Sequence, residues 1–442
     1  MELDDLTVAE ADSPTYRLSG SDAPAGVYFV QGSKNTALPA IAAALLPEKG
    51  ATILRNVPPL NDVVLALRIA RVLGARVDYY PAEQIAVIDA ANLHSAPVPA
   101  ALTSRLRASV LFLAPLLARL GEAHIDTIGG CSLGDRGVDF HYRGFVRMGA
   151  VQEPDLALKL TERRLRGATT YLDVPSHTGT ENLMMAAAVA EGTTIIENAG
   201  CDPEIADFAE MLRRMGAHIH GTGSRTVRVE GVTALRPTEY TIPPDRLDAG
   251  FAAALATIRP DAEIAIIGFE LDRLRLVAEK LSQMGAHFHV NGQITMVSRR
   301  GKLRPINIVT HPYPGFATDL QPAVMALACI AEGTSYIREE VFSDRFSHSE
   351  ELGKMGAEIS IEQGNRLAVV HGVARLVGAH VTAHNIRAGI ATLLAATAAE
   401  GETVIDNAYQ IERGHVDLPR RLAGLGVNLR RELPNVQSEP HV

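Results

Sequence analysis

The chain has 442 residues, 47% of them apolar and 21% charged, with a formal net charge of −9. That length exceeds what one hydrophobic core organises and suits two domains of about 200 residues each, while the acidic balance argues against non-specific nucleic-acid binding. No charge-free apolar run reaches the roughly 18 residues of a membrane span, and an acidic start (Met1-Glu2-Leu3-Asp4-Asp5) with three scattered cysteines leads us to expect a cytoplasmic protein with free thiols.

Along the chain one pattern recurs six times: a helical run, a Gly turn, a β-branched stretch, a second helical run, then a closing glycine before a strand. The closing glycines are Gly74, Gly149, Gly216, Gly285, Gly356 and Gly426, at spacings of 75, 67, 69, 71 and 70 residues. Self-similarity at a fixed period defines architecture before any motif is consulted. The first repeat carries Ala42-Ala43-Ala44. The second departs most, with Gly129-Gly130-Cys131-Ser132-Leu133-Gly134-Asp135-Arg136-Gly137 between its first strand and its outer helix.

The third repeat is the clearest. Residues 180–190 predict a helix that is small and apolar nearly all round, and so buried. Residues 194–197 predict a strand. Residues 202–215, apolar at Ile205, Phe208, Ala209, Leu212 and Met215, predict an amphipathic helix that Gly216 caps before a strand over 217–220. The fourth repeat has Ala252-Ala253-Ala254 but stops at Arg259-Pro260-Asp261; the fifth has Ala326-Leu327-Ala328 followed by Cys329, a packing position; the sixth has Ala395-Ala396. Alanine is the best helix former, so the runs alone say only helix. Their return at one phase of the repeat makes them buried inner helices, three to a domain.

At the starts of the six inner helices stand Lys34-Asn35, Arg107, Glu181-Asn182, Asp245-Arg246, Asp319 and Arg387. Acidic groups there are ordinary caps, but Lys and Arg oppose the helix dipole. Cations added to helix amino-termini point to a shared site for phosphate and carboxylate groups. In the glycine-rich loop, Cys131 lies five residues from Arg136, whose guanidinium favours a reactive thiolate. The fifteen histidines form no H-x-x-x-H pair on a predicted helix, and Gly221-Thr222-Gly223 opens no helix, so neither a metal nor a dinucleotide cofactor is expected.

Several segments together resemble the enolpyruvyl transferases of peptidoglycan synthesis: residues 32–39 (GSKNTALP), Leu106-Arg107-Ala108-Ser109, the Cys131 loop through Val138-Asp139-Phe140-His141, and Pro175-Ser176 with Thr180-Glu181-Asn182. Pro244-Asp245-Arg246, residues 316–319 and 341–346, Ile386-Arg387-Ala388 and Glu412-Arg413-Gly414 extend the match over nearly the whole chain, from about Tyr16 to Leu429. The shikimate-pathway enolpyruvyl transferases share the repeat architecture and lack the cysteine loop. The resemblance implies an α/β fold: a two-domain inside-out α/β barrel of six units of about 70 residues, with inner helices aimed into an interdomain cleft. Units 1–3 would form a central domain, 34–243, and residues 1–33 plus 244–442 would form the other.

The family joins phosphoenolpyruvate to the 3-hydroxyl of UDP-N-acetylglucosamine and releases phosphate. By motif, Lys34, Arg136 and Arg413 would grip phosphoenolpyruvate, and Arg107 would help fix the nucleotide. Asp319 would take the proton of the sugar hydroxyl. Cys131 would protonate the methylene carbon and form a thioether adduct, as it would with the family inhibitor fosfomycin. Asn35, Gly137, Val138, Asp139, Phe140, Ser176, His177, Thr178 and Val341 would contact the nucleotide sugar, and Asn385 and Arg387 complete the set. No metal, nucleic acid or membrane partner is implied. Three segments depart from the family: Asn385 replaces an aspartate, Gly137 replaces a proline, and Arg413-Gly414-His415-Val416 replaces Arg-Gly-Tyr-Glu. They leave open transfer to a different uridine nucleotide, or a weakly catalytic nucleotide-sugar-binding regulator.

Overall fold

The computed structural model describes residues 13–19, 23–125, 128–129 and 137–433. They pack as two compact units, one built on Gln31–Asp245 and one on 13–30, Arg246–His311 and 315–433. The first holds α1 (Lys34–Ala43), α2 (Asn61–Val72), α3 (Ala100–Thr103), α4 (Leu113–Leu120), α5 (Asp139–Arg147), α6 (His177–Ala188) and α7 (Pro203–Arg214). The second holds α8 (Arg246–Ile258), α9 (Arg275–Met284), α10 (Gln321–Ala328), α11 (His348–Lys354), α12 (Ile386–Ala398), α13 (Tyr409–Glu412) and α14 (Leu418–Ala423).

The alanine runs lie on α1, α6, α8, α10 and α12, whose residues are buried on every side apart from the first turn of α1 and α6 and Arg387 and Ala398 of α12. Side chains this small let helix axes approach closely, and α8, α10 and α12 pack on one another in the second unit. The outer helices are one-sided. In α7 the chain starts with Pro at its first position, buries Ile205, Phe208, Ala209 and Leu212 at helical spacing, and ends with Arg213 and Arg214 against the negative end of the dipole. The inner helix of the third repeat begins at His177, three residues before the sequence-predicted start, because Ser176 caps it by accepting the Gly179 N–H at 3.1 Å. The second repeat enters its inner helix through a six-residue 3₁₀ helix, Arg107–Phe112, so Arg107 stands about two 3₁₀ turns ahead of α4.

All six closing glycines have left-handed φ, between 80° and 117°. An L side chain is strained there, so glycine recurs at each helix-to-strand corner. Among the described residues five four-stranded sheets follow one plan: the strand after an inner helix pairs in parallel with one neighbour and antiparallel with the next. Around α6, Thr169–Tyr171 leads in and Thr193–Glu197 leads out, paired in parallel. Distant segments close other sheets. Ala25–Phe29 pairs in parallel with Glu263–Ile267, and Thr15–Ser19 lies antiparallel between Glu402–Asp406 and Leu429–Glu432. The second repeat carries a three-stranded antiparallel sheet instead.

After two of these hairpins the chain returns to the carbonyl end of an inner helix at close range. A Cβ on Gly372 would sit 1.6 Å from the Ala331 carbonyl oxygen, and on Gly231 1.8 Å from that of Ala190. The neighbour is backbone and cannot swing away. Gly372→Ala should therefore destabilise by at least about 1–3 kcal/mol, the scale of overpacking a close-packed interior; a urea midpoint equal to wild type would refute this.

Candidate active site

In the first compact unit the predicted residues gather at the starts of inner helices. Ser33 caps α1 by accepting from the Thr36 N–H at 3.2 Å, which places Lys34 and Asn35 in the first turn, partly exposed. The Lys34 ammonium would be opposed by the dipole there, and Asp62 offsets it with Oδ2 3.2 Å from Nζ. Both side chains are mostly buried, at 12% and 5% exposure, and Asp245 Oδ2 accepts the Lys34 backbone N–H at 3.3 Å.

Arg107 donates from Nη2 to the carbonyl of Gly137 at 3.1 Å, tying the end of the glycine-rich segment to the 3₁₀ turn. Val138 precedes α5 as its cap residue, Asp139 pairs with Arg143 at 3.2 Å, and the Phe140 ring stacks on His141 with centroids 4.5 Å apart. Phe140 also lies against Gly179 in the first turn of α6, where a Cβ would meet its ring at 2.6 Å. His141 is buried and its pKa is pushed down to about 3 by burial and by Arg107; its Nδ1 lies 3.0 Å from Asn182 Nδ2. Arg107, Gly137, Phe140 and the Ser176–His177–Thr178 turn thus form one connected group. Cys131 and Arg136 lie outside the described residues.

His177 is in that group, and its Nε2 is 3.0 Å from Glu181 Oε1. Burial alone would lower its pKa, but Glu181, with Asp202 and Glu204 behind it, carries it up to about 10. One ligand atom from each of His177, Asp202 and Glu204 falls within 4.8 Å of the others, a spacing that could hold a metal ion. The His177 imidazole thus faces Glu181 at hydrogen-bond distance with Asp202 and Glu204 grouped around it.

In the second unit Asp319 lies in a one-turn 3₁₀ helix, Thr318–Leu320, that opens α10. The Arg345 guanidinium, buried to 3% exposure, donates to Asp319 Oδ1, and Arg387 Nε stands 3.6 Å from the same oxygen. Glu339, fully buried, accepts the Thr318 hydroxyl at 2.9 Å and the N–H groups of Val341 and Phe342 at 2.9 and 3.0 Å. Val341 is therefore placed through its backbone, on the same carboxylate that positions the Asp319 turn. Arg413, 7% exposed, donates to Gln410 Oε1 at 3.0 Å at the end of α13.

Asn385 has a backbone task. Its Oδ1 accepts from the N–H groups of Arg387 at 3.1 Å and Ala388 at 3.0 Å, capping α12, while Nδ2 donates to Ser347 at 3.3 Å. Asparagine and aspartate are nearly equal caps, so the departure here preserves the local geometry. Arg345, Asp62 and Glu339 were not singled out from sequence. Arg345 lies inside the quoted 341–346 motif, but the 26 residues separating it from Asp319 hide the pairing. A cavity of about 610 Å³ lies elsewhere in the first unit, lined by Leu46, Leu120 and Val189 near the carboxyl ends of α1, α4 and α6, and touches none of the predicted residues.

Comparison with known proteins identifies the family. A family model described as EPSP synthase (3-phosphoshikimate 1-carboxyvinyltransferase) matches residues 20–422, and the chain belongs to that family. It is 48% identical over 425 residues to a UDP-N-acetylglucosamine 1-carboxyvinyltransferase of Thermobifida fusca (strain YX), covering 94% of this chain and 98% of the relative. Among solved structures it superposes on the enolpyruvyl transferase NikO from Streptomyces tendae with a TM-score of 0.84 and 26% identity, over 96% of this chain and 99% of that one. EPSP synthase from Acinetobacter baumannii, at 20% identity and a TM-score of 0.72 over 95% and 100% of the two chains, shares the fold.

Two outcomes follow from the geometry. A histidine whose folded pKa is raised contributes stability that is full below its ordinary value of 6.5 and is lost as the pH climbs towards 10. Glu181→Gln should drop the His177 pKa by at least about one unit, since burial then meets less opposition; an NMR titration showing no fall would contradict the pairing. Asn385→Asp keeps both cap acceptors, so stability should stay within about 0.5 kcal/mol and kcat within about threefold. A large gain in kcat would show instead that a carboxylate there takes part in the chemistry.

Proposed function

We propose that the chain transfers the enolpyruvyl group of phosphoenolpyruvate to the 3-hydroxyl of UDP-N-acetylglucosamine, releasing phosphate, a committed step towards peptidoglycan. The observation that carries this reading is the 48% identity to a UDP-N-acetylglucosamine 1-carboxyvinyltransferase across 98% of that relative's length. Both substrates are anionic metabolites, which puts the reaction in the cytoplasm. No helix among the described residues is long and apolar enough to cross a membrane.

In the proposed chemistry Asp319 accepts the proton of the 3-hydroxyl as its oxygen bonds to C2 of phosphoenolpyruvate, and Cys131 delivers a proton to the methylene carbon. The tetrahedral adduct then loses a proton from the new methyl group, the C–O bond to phosphate breaks, and the enol double bond returns. An acid and a base on separate groups suit this addition and elimination. Arg345 and Arg387 orient the Asp319 carboxylate through Oδ1. Lys34, Arg136 and Arg413 supply fixed positive charge for the phosphate and carboxylate, where preorganised cations stabilise developing charge. Asn35, Arg107, the 137–140 segment, the 176–178 turn and Val341 hold the nucleotide sugar.

Phosphate release from phosphoenolpyruvate tests the whole scheme. Wild type should turn over with UDP-N-acetylglucosamine and not with UMP, and Asp319→Ala should cut kcat by about 10²-fold or more. Turnover on UMP alone would shift the reading to a different uridine nucleotide, and an unaffected kcat in Asp319→Ala would remove that residue from its role.

A further inference from the structure

The turn that carries Arg413 is fastened by a buried network that the scheme above leaves unused. His415 is 1% exposed, and its Nδ1 lies 3.0 Å from Asp248 Oδ1. Asp248, in the first turn of α8, is fully buried. It also accepts from the Tyr28 hydroxyl at 2.8 Å and from Arg421 Nη1 and Nη2 at 3.1 and 2.6 Å. Arg421 in turn lies over the Tyr28 ring, 4.2 Å from its centroid, and donates to the Phe29 carbonyl at 2.8 Å.

The charges in this network are decided by competition. Burial pushes the Asp248 carboxyl up, but the Arg421 guanidinium and the hydrogen-bonded His415 outweigh it and hold the group well below the usual carboxylate range. For His415, burial pushes the pKa down, Asp248 pulls it up, and Arg387 and Arg421 push it down again; the balance is below an ordinary histidine. The ring is therefore neutral at pH 7. With a carboxylate at Nδ1, one tautomer fits: Nδ1–H donates and Nε2 keeps its lone pair. Nε2 is buried without a hydrogen-bond partner among the described residues.

The backbone beside it has no slack. The Gly414 and His415 N–H groups both donate to the Ile411 carbonyl, at 3.0 and 3.2 Å. A Cβ on Gly414 would sit 2.5 Å from Ile386 Cγ2, and Arg387 Nη1 lies 3.8 Å from the same point. The turn is pressed on the start of α12 on one side and held by its histidine to α8 on the other.

We propose that His415 is a positioning residue for phosphoenolpyruvate: clamped through Nδ1 by Asp248, it fixes the Arg413–Gly414 turn so that the Arg413 guanidinium is presented to that substrate. This rests on the assignment of Arg413 to phosphoenolpyruvate made above.

Three variants test it, because an Asn amide falls where the imidazole carries Nδ1, a Gln amide falls nearer Nε2, and Leu fills volume without donating. His415→Leu and His415→Gln should raise the KM for phosphoenolpyruvate by about tenfold or more, with the KM for UDP-N-acetylglucosamine within about twofold; His415→Asn should recover most of the loss. Long-range ¹⁵N NMR of the wild type should show a neutral His415 protonated at Nδ1. The proposal is overturned if folded Leu and Gln variants keep the wild-type KM, if Asn behaves as Leu does, if both substrates weaken equally, or if the proton sits on Nε2. Should the wild type release no phosphate with this substrate pair, the functional reading fails by itself. Calorimetric binding of phosphoenolpyruvate to the same variants, with the NMR tautomer, then decides the clamp separately.

Discussion

The close approach of small residues on the inner helices is the constraint on which the site depends. Gly250 of α8 meets Leu320, the neighbour of Asp319; a Cβ there would lie 2.5 Å from a Leu320 methyl. Gly389 of α12 meets Ile411, two residues before Arg413, with a Cβ 2.4 Å from its Cγ1. Gly179 of α6 receives Phe140. In each case a glycine near a helix start gives room to an apolar side chain beside a functional one. The reacting groups are located by packing, and packing in a dense interior leaves little room for drift.

That arrangement puts charge where it is expensive. Lys34 and Arg387 stand in first turns whose dipoles oppose them, and Asp248 and Glu181 are buried. Each has an opposite charge close by: Asp62 for Lys34, Asp319 for Arg387, Arg421 for Asp248 and His177 for Glu181. Breaking one such buried pair leaves an uncompensated charge and costs about 3–5 kcal/mol. The gain is orientation held before substrate arrives, which is the form of electrostatic help that lowers a barrier.

Some of this was legible in the sequence. The period of the closing glycines was visible because a left-handed helix corner tolerates little else, and all six adopt it. The alanine runs marked the inner helices because residues buried on every side repeat without an amphipathic stripe, as α8 does over its full length. Helix starts could be located to within a turn, and with them Lys34, Ser176, Asp319 and Arg387, since caps and first-turn residues are local features.

Only the tertiary structure decided which charges pair. Asp62 belongs to Lys34 across 28 residues, Arg345 to Asp319 across 26, and Asp248 to Arg421 across 173. No periodicity encodes such separations, because they are made by helices meeting in space. For the same reason Asn385, conspicuous in sequence as a missing carboxylate, became a helix cap once its Oδ1 was seen on two backbone N–H groups. The sequence by itself determined the repeat, the buried helices and the residue types at their starts, all consequences of local backbone preference and side-chain size. The partners of those residues, and so their protonation and direction, were decided by the fold, because electrostatic energy depends on distance in three dimensions.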